Sequence, residues 1–170
     1  MSVTIATKFR SKCHVYGDHI DTDRIIPGKY TKTLDLSSLA AHVLEDLDPN
    51  FKNIVKVGDI LVAGTNFGCG SSREQAPLAL KKSGIAVVIA QDFARIFFRN
   101  AINIGLPVLE LGAHDIQKGS ELEIDLKEGI VKDLTASKIY TATKLPNIMI
   151  HILGEGGLVN YLKKHKNYSL

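Results

Sequence analysis

Cysteine is scarce in this chain, and the two present, Cys13 and Cys69, are far apart in sequence. That is too few for a disulfide framework. With no Cys-x-x-Cys pair and no Cys/His zinc spacing, the chain also offers no ligand set for zinc or an iron–sulfur cluster. The expectation is that its own residues hold no metal. Long apolar runs are missing too, well below the ~20 residues a membrane span needs. The N-terminus lacks the apolar core of a secretory signal. These absences predict a soluble, cytoplasmic protein. Charge of one sign is not in excess: the formal net charge is +3, and basic residues are dispersed apart from Lys163-Lys164-His165-Lys166. Nucleic acid and membrane are therefore not expected as partners. There is no repeat, low-complexity tract or linker. The 170 residues, 45% hydrophobic and 23% charged, are read as one domain, 1–170, able to bury a core without staples.

What the chain does have is one crowded stretch, Gly64-Thr65-Asn66-Phe67-Gly68-Cys69-Gly70-Ser71-Ser72-Arg73-Glu74. Its glycines permit positive φ and close approach of a ligand to main-chain N–H groups. Asp59 to Ala63 ahead of it is an apolar, β-favouring run, and Gln75 to Ser83 behind it reads as helix. A loop feeding a helix N-terminus, with an arginine fork beside it, suits an anion. A second reading stands next to that one: Ser71-x-x-Glu74 fits a capping box, with Ser71 as N-cap. Pro77 would then fall awkwardly deep in the helix, unless the helix starts nearer Glu74. The loop is not a P-loop, a dinucleotide fingerprint or a nucleophile elbow.

Strands are expected within Val3 to Tyr16, followed by the polar segment Gly17-Asp18-His19-Ile20-Asp21-Thr22-Asp23-Arg24 and the turn at Pro27-Gly28. Asp21 and Asp23 admit two roles, capping a turn or orienting an arginine or catalytic group. An amphipathic helix is predicted over Leu36 to Leu47, with His42 at its boundary. Ile85 to Ala90 is apolar throughout, as in a parallel strand buried on both faces. Gln91 to Gly105 is predicted as a helix with a second apolar face, Ala94, Phe98 and Ile102. Either a partner chain or a terminal segment of the same chain would cover that face. Leu106 to Leu111 is a further strand. Alternation from Glu121 to Leu126, then runs at Ile130 to Leu134 and Ile139 to Thr143, predict a small antiparallel sheet with one wet face. Helices from Asn147 and from Leu158, split by Gly154-Glu155-Gly156-Gly157, end the chain.

Gly17 to Gly28 and Asn66 to Glu74, with Phe93-Ala94-Arg95-Ile96-Phe97 and Arg99 to Gly105 behind them, resemble the aconitase superfamily. The chain is similar over nearly its whole length to small subunits of isopropylmalate isomerases and homoaconitases. The resemblance implies an α/β fold, a swivelling three-layer β/β/α domain. It also implies a hydro-lyase, active only with a large subunit that carries a [4Fe-4S] cluster. The reaction would isomerise a hydroxy di- or tricarboxylic acid by dehydration and rehydration, in first place 2- and 3-isopropylmalate in leucine biosynthesis. Ser71 would be the catalytic base, Ser72 and Arg73 would hold substrate carboxylates, and Asp23, with Asp21, would support the site. The loop Lys29-Tyr30-Thr31-Lys32-Thr33 would read the substrate's γ-substituent, through Thr31 and Lys32. In the family, apolar or neutral residues there go with isopropylmalate and an arginine with homocitrate. Lys32 leaves isopropylmalate, homocitrate and citramalate or methylmalate open. The reading of another class is a non-catalytic anion-binding module, which would have no need of Ser71.

Overall fold

The computed structural model describes residues 6–33 and 35–166. Its frame is a seven-stranded sheet, and one strand, β1 (Lys8–Val15), decides its shape. The first part of β1, Lys8 to Lys12, pairs antiparallel with β5 (Glu121–Asp125), while its last part, Cys13 to Val15, pairs parallel with β2 (Ile60–Ala63). β1 thus changes partners midway and joins a parallel half to an antiparallel half. The parallel half continues through β3 (Val87–Ala90) to β4 (Val108–Glu110). The antiparallel half continues through β6 (Ile130–Asp133) to β7 (Lys138–Thr141). The antiparallel strands expected as a small sheet are joined through β1 to the parallel half.

The burial of each half follows its composition. β2 and β3 are fully buried along their length, as an unbroken apolar run requires, and both faces are covered. Each buried Val, Leu or Ile there contributes about 1.5–3 kcal/mol. In β5, Leu122 and Ile124 are buried while Glu121, Glu123 and Asp125 are not, so the alternation gives one wet face.

Seven helices accompany the sheet among the described residues: α1 (Thr22–Ile25), α2 (Leu36–His42), α3 (Phe51–Ile54), α4 (Gln75–Ser83), α5 (Arg95–Asn103), α6 (Asn147–Gly154) and α7 (Leu158–His165). α4 has the predicted bounds and closes on Gly84 at φ 112°. α2 ends at His42 rather than Leu47, because Val43 turns extended (ψ 132°) and Leu44 takes φ 56°. The helical period of Val43, Leu44 and Leu47 instead serves a turn whose apolar residues face the core. α5 is shorter than Gln91 to Gly105 and keeps little of its second apolar face free. Ile102 is buried, and Phe98 meets Phe93 edge-on at 5.7 Å and shares a small cavity with Leu145, Pro146 and Met149. A later segment of the same chain covers part of that face, with Ala94 and Phe98 half-buried, and the exposed apolar residue of α5 is Ile96. No helix among the described residues is long and apolar enough to cross a membrane.

Candidate active site

Beyond the carboxyl ends of β1 and β2 the two following loops remain zipped together. Tyr16 N–H donates to Val62 O, His19 N–H to Thr65 O, Gly68 N–H to Ile20 O and Thr22 N–H to Cys69 O, all at 2.8–2.9 Å. On the other side, Phe67 N–H donates to Asp92 O and Ala94 N–H to Phe67 O. Two aspartates reinforce the seams: Asp18 Oδ1 accepts from Thr65 N–H at 2.8 Å, and Asp92 Oδ1 accepts from Asn66 N–H at 2.7 Å. The glycine-rich loop is therefore laced to its neighbours on both flanks. His19 and Asn66 face each other at 3.3 Å and both take positive φ, 54° and 56°. Both residue types are enriched in that conformation.

This lacing presents Ser71, Ser72 and Arg73 at the sheet's carboxyl edge. Ser71 and Ser72 are exposed, and Arg73 is a quarter exposed. Asp23 Oδ1 lies 2.6 Å from Arg73 Nη1. The contact is ionic rather than a directed hydrogen bond, since buried Nη1 has no acceptor along an N–H direction. A Cβ on Gly28 would come within 2.9 Å of that same nitrogen, so glycine at 28 leaves room for the guanidinium. Arg73, distant in sequence from Asp23 and Gly28, thus forms one unit with them.

The capping-box reading of Ser71 is overturned. α4 begins at Gln75 with Glu74 as N-cap, and no side chain caps it. Pro77 then falls in the first turn, where a missing N–H costs nothing. The same shift moves Ser71 off the helix terminus, so its environment is made by the loop and Arg73 rather than by helix N–H groups. Asp21 turns out to be the capping member of the acidic pair: it precedes α1 and accepts from Arg24 N–H at 2.8 Å, while Asp23 orients the arginine.

Residues Gly28 to Tyr30 form a 3-10 turn. Thr31 donates its hydroxyl to Gly28 O at 2.8 Å, and Gln75 Nε2 donates to Thr31 O at 3.2 Å, which ties this loop to the start of α4. Tyr30 stacks on His42 at 3.7 Å, and His42 Nδ1 pairs with Glu45 Oε2 at 2.7 Å. Burial would raise the Glu45 carboxyl, but the bonds from His42 and Tyr30 outweigh it and hold it below the usual range. Lys32 is exposed on this loop. Thr31 therefore spends its hydroxyl on its own turn, and Lys29 and Lys32 are the side chains the loop offers outward.

Sequence reasoning missed Thr22, Asp18, Asp92 and Gln75. Thr22 is buried, and its hydroxyl donates to Ser71 O at 3.0 Å. Its only signal was its place between the two aspartates. Asp18 is 47 residues from the amide it accepts from, and nothing local announces that. Burial, then Asp133, pushes the Cys13 thiol up to about 11, and burial, then Asp21, pushes Cys69 up. Among the described residues no group of three or more His, Cys, Asp or Glu is placed to hold a metal ion.

A mixed sheet whose parallel half ends in a glycine-serine-serine-arginine loop, with an aspartate beneath the arginine, fits the aconitase class. Residues 49–114 match the family Aconitase C-terminal domain. The chain is 55% identical over 157 residues to the 3-isopropylmalate dehydratase small subunit of Caldicellulosiruptor saccharolyticus, covering 91% of each. It is 52% identical over 155 residues to the methanogen homoaconitase small subunit of Methanothermobacter thermautotrophicus, again covering 91% of each. The crystal structure of a 3-isopropylmalate dehydratase chain from Methanocaldococcus jannaschii superposes with a TM-score of 0.89 at 47% identity, over 94% of this chain and 95% of that one. The chain belongs to the family of 3-isopropylmalate dehydratase small subunits within the aconitase superfamily.

Proposed function

We propose that this chain supplies the proton-transfer and carboxylate-binding half of a two-subunit hydro-lyase that interconverts 2- and 3-isopropylmalate in leucine biosynthesis. The observation that carries the reading is the pairing of exposed Ser71 and Ser72 with Arg73, itself anchored by Asp23 over Gly28. Such an arrangement has a charge for a carboxylate and a hydroxyl beside it, and it is open on the side where a partner would close. Arg73 and Ser72 bind a substrate carboxylate, and Ser71 Oγ takes the proton from the adjacent carbon. The freed electron pair becomes the double bond as hydroxide departs from the neighbouring carbon. Addition in the opposite sense places the hydroxyl on the other carbon, and Ser71 returns the proton. A hydroxyl is a weak base in water, so the reaction needs the site closed. Exclusion of water strengthens the pull by which Arg73 stabilises the Ser71 alkoxide, the form that accepts the proton and becomes the hydroxyl. The large subunit provides that closure, and its [4Fe-4S] cluster, for which this chain has no fitting ligands, supplies the Lewis acid for the departing hydroxyl.

Lys32 supports a second reading of the substrate. Exposed on the loop that in this family meets the γ-substituent, it would favour a further carboxylate, as in homocitrate, over an isopropyl group. Turnover of isopropylmalate, homocitrate and citramalate by the reconstituted complex decides between them.

The experiment for the mechanism is Ser71→Ala in that complex. With Glu74 as the N-cap, no capping role competes for the result. We expect kcat to fall by about 100-fold or more while KM changes little, the usual contribution of a general base. Near-normal turnover would remove Ser71 from the mechanism.

A further inference from the structure

Thr22 is 2% exposed and grips the carbonyls of the two residues that flank Gly70. Its N–H donates to Cys69 O at 2.9 Å and its hydroxyl to Ser71 O at 3.0 Å. Gly70 between them takes φ 90°, and a Cβ there would lie 3.4 Å from Asp21 Cβ and 3.6 Å from Thr22 Oγ1. The turn that sets the direction of the Ser71 side chain is therefore pinned by one threonine. The next residue, Asp23, reaches Arg73. Two adjacent residues on α1 thus hold the two ends of the Ser71-to-Arg73 triplet, one by hydrogen bond and one by charge. Ser71 is itself exposed.

We infer that Thr22 is a positioning residue for Ser71: its hydroxyl holds the Ser71 peptide so that Oγ meets the reacting carbon at the angle proton transfer requires. The inference rests on the role proposed for Ser71. A proton-transfer group displaced by about 1 Å can lose on the order of 100-fold in rate, whereas a carboxylate contact tolerates more. The loss should therefore fall on kcat, not KM.

Thr22→Ser and Thr22→Ala test this, because both lose the same methyl and differ only by the hydroxyl. In the holoenzyme reconstituted with the large subunit, Thr22→Ala should lower kcat about tenfold with KM within about threefold of wild type, and Thr22→Ser should recover most of it. Thr22→Val, which fills the same volume without the hydroxyl, should behave like Thr22→Ala. On a Ser71→Ala background the threonine change should cost nothing further. Equal kcat in the serine and alanine variants overturns the inference, as does a loss confined to KM. Failure of both hydroxyl-free variants to fold or assemble assigns Thr22 to the fold and overturns it too. A Ser71→Ala enzyme with normal turnover defeats the parent reading instead, and the two failures are told apart in one set of assays.

Discussion

Arg73 is held from two directions, by the charge of Asp23 and by the side chain that Gly28 lacks. Asp23 is largely exposed, so the ion pair alone is a modest contribution. Its value lies in fixing where a planar double donor points. Arg73→Lys keeps the charge and loses the fork, and KM of the complex should rise about tenfold or more. Gly28→Ala is the sharper probe, since it alters no charge and its backbone carries no positive φ. The added methyl must push the guanidinium aside, a cheap movement for the end of a flexible side chain. Thermal unfolding should stay near that of wild type while KM rises several-fold. An unchanged KM in Gly28→Ala would show that the guanidinium position seen here is not the one used for binding.

At the scale of elements, β1 and the turn leading into β2 carry a buried polar clasp far from the active-site edge. Asp59 Oδ2 meets His14 Nε2 at 2.8 Å and accepts from Lys56 N–H at 2.9 Å, while Oδ1 accepts from Ser11 Oγ at 3.0 Å. Burial would raise this carboxyl, but His14, the Lys56 amide and Ser11 together outweigh it and leave it below the usual aspartate range. A carboxyl depressed in the folded state binds its proton more readily in the unfolded chain. Its stabilisation is therefore complete above the unfolded value and fades as pH falls through the ordinary range to the depressed one. Asp59→Asn turns a donor toward donors and should cost about 2 kcal/mol near pH 7. Denaturant titrations from neutral to acid pH should show the gap between variant and wild type narrowing. A gap constant with pH would exclude the carboxylate as its source.

For the whole molecule, the open edge matters most. Ser71 and Ser72 face solvent, where water competes for every charge on the substrate. The chain alone should show no turnover, and activity should appear only as large subunit is added. Treatment of the chain alone with iron and sulfide should leave no cluster absorption band, because its two cysteines, Cys13 and Cys69, are too few to ligate a cluster. Turnover by the chain freed of its partner would contradict the division of labour proposed for the two subunits.

The amino-acid sequence by itself determined what depends on neighbours along the chain. The bounds of α4 and its Gly84 terminus, the double-sided burial of β3 and the alternation of β5 all come from local periodicity and from residues with restricted φ. The site triplet was legible for the same reason, as an unusual cluster of glycine, serine and arginine. Tertiary structure decided whatever depends on register between distant segments. It made Glu74 rather than Ser71 the cap, divided capping and arginine-holding between Asp21 and Asp23, and covered Phe98 from within the chain. It alone set Thr22 against the carbonyl of Ser71, 49 residues away. Such contacts depend on how β1 and β2 pair, and that pairing is fixed by packing of the whole core, which no local window of residues contains.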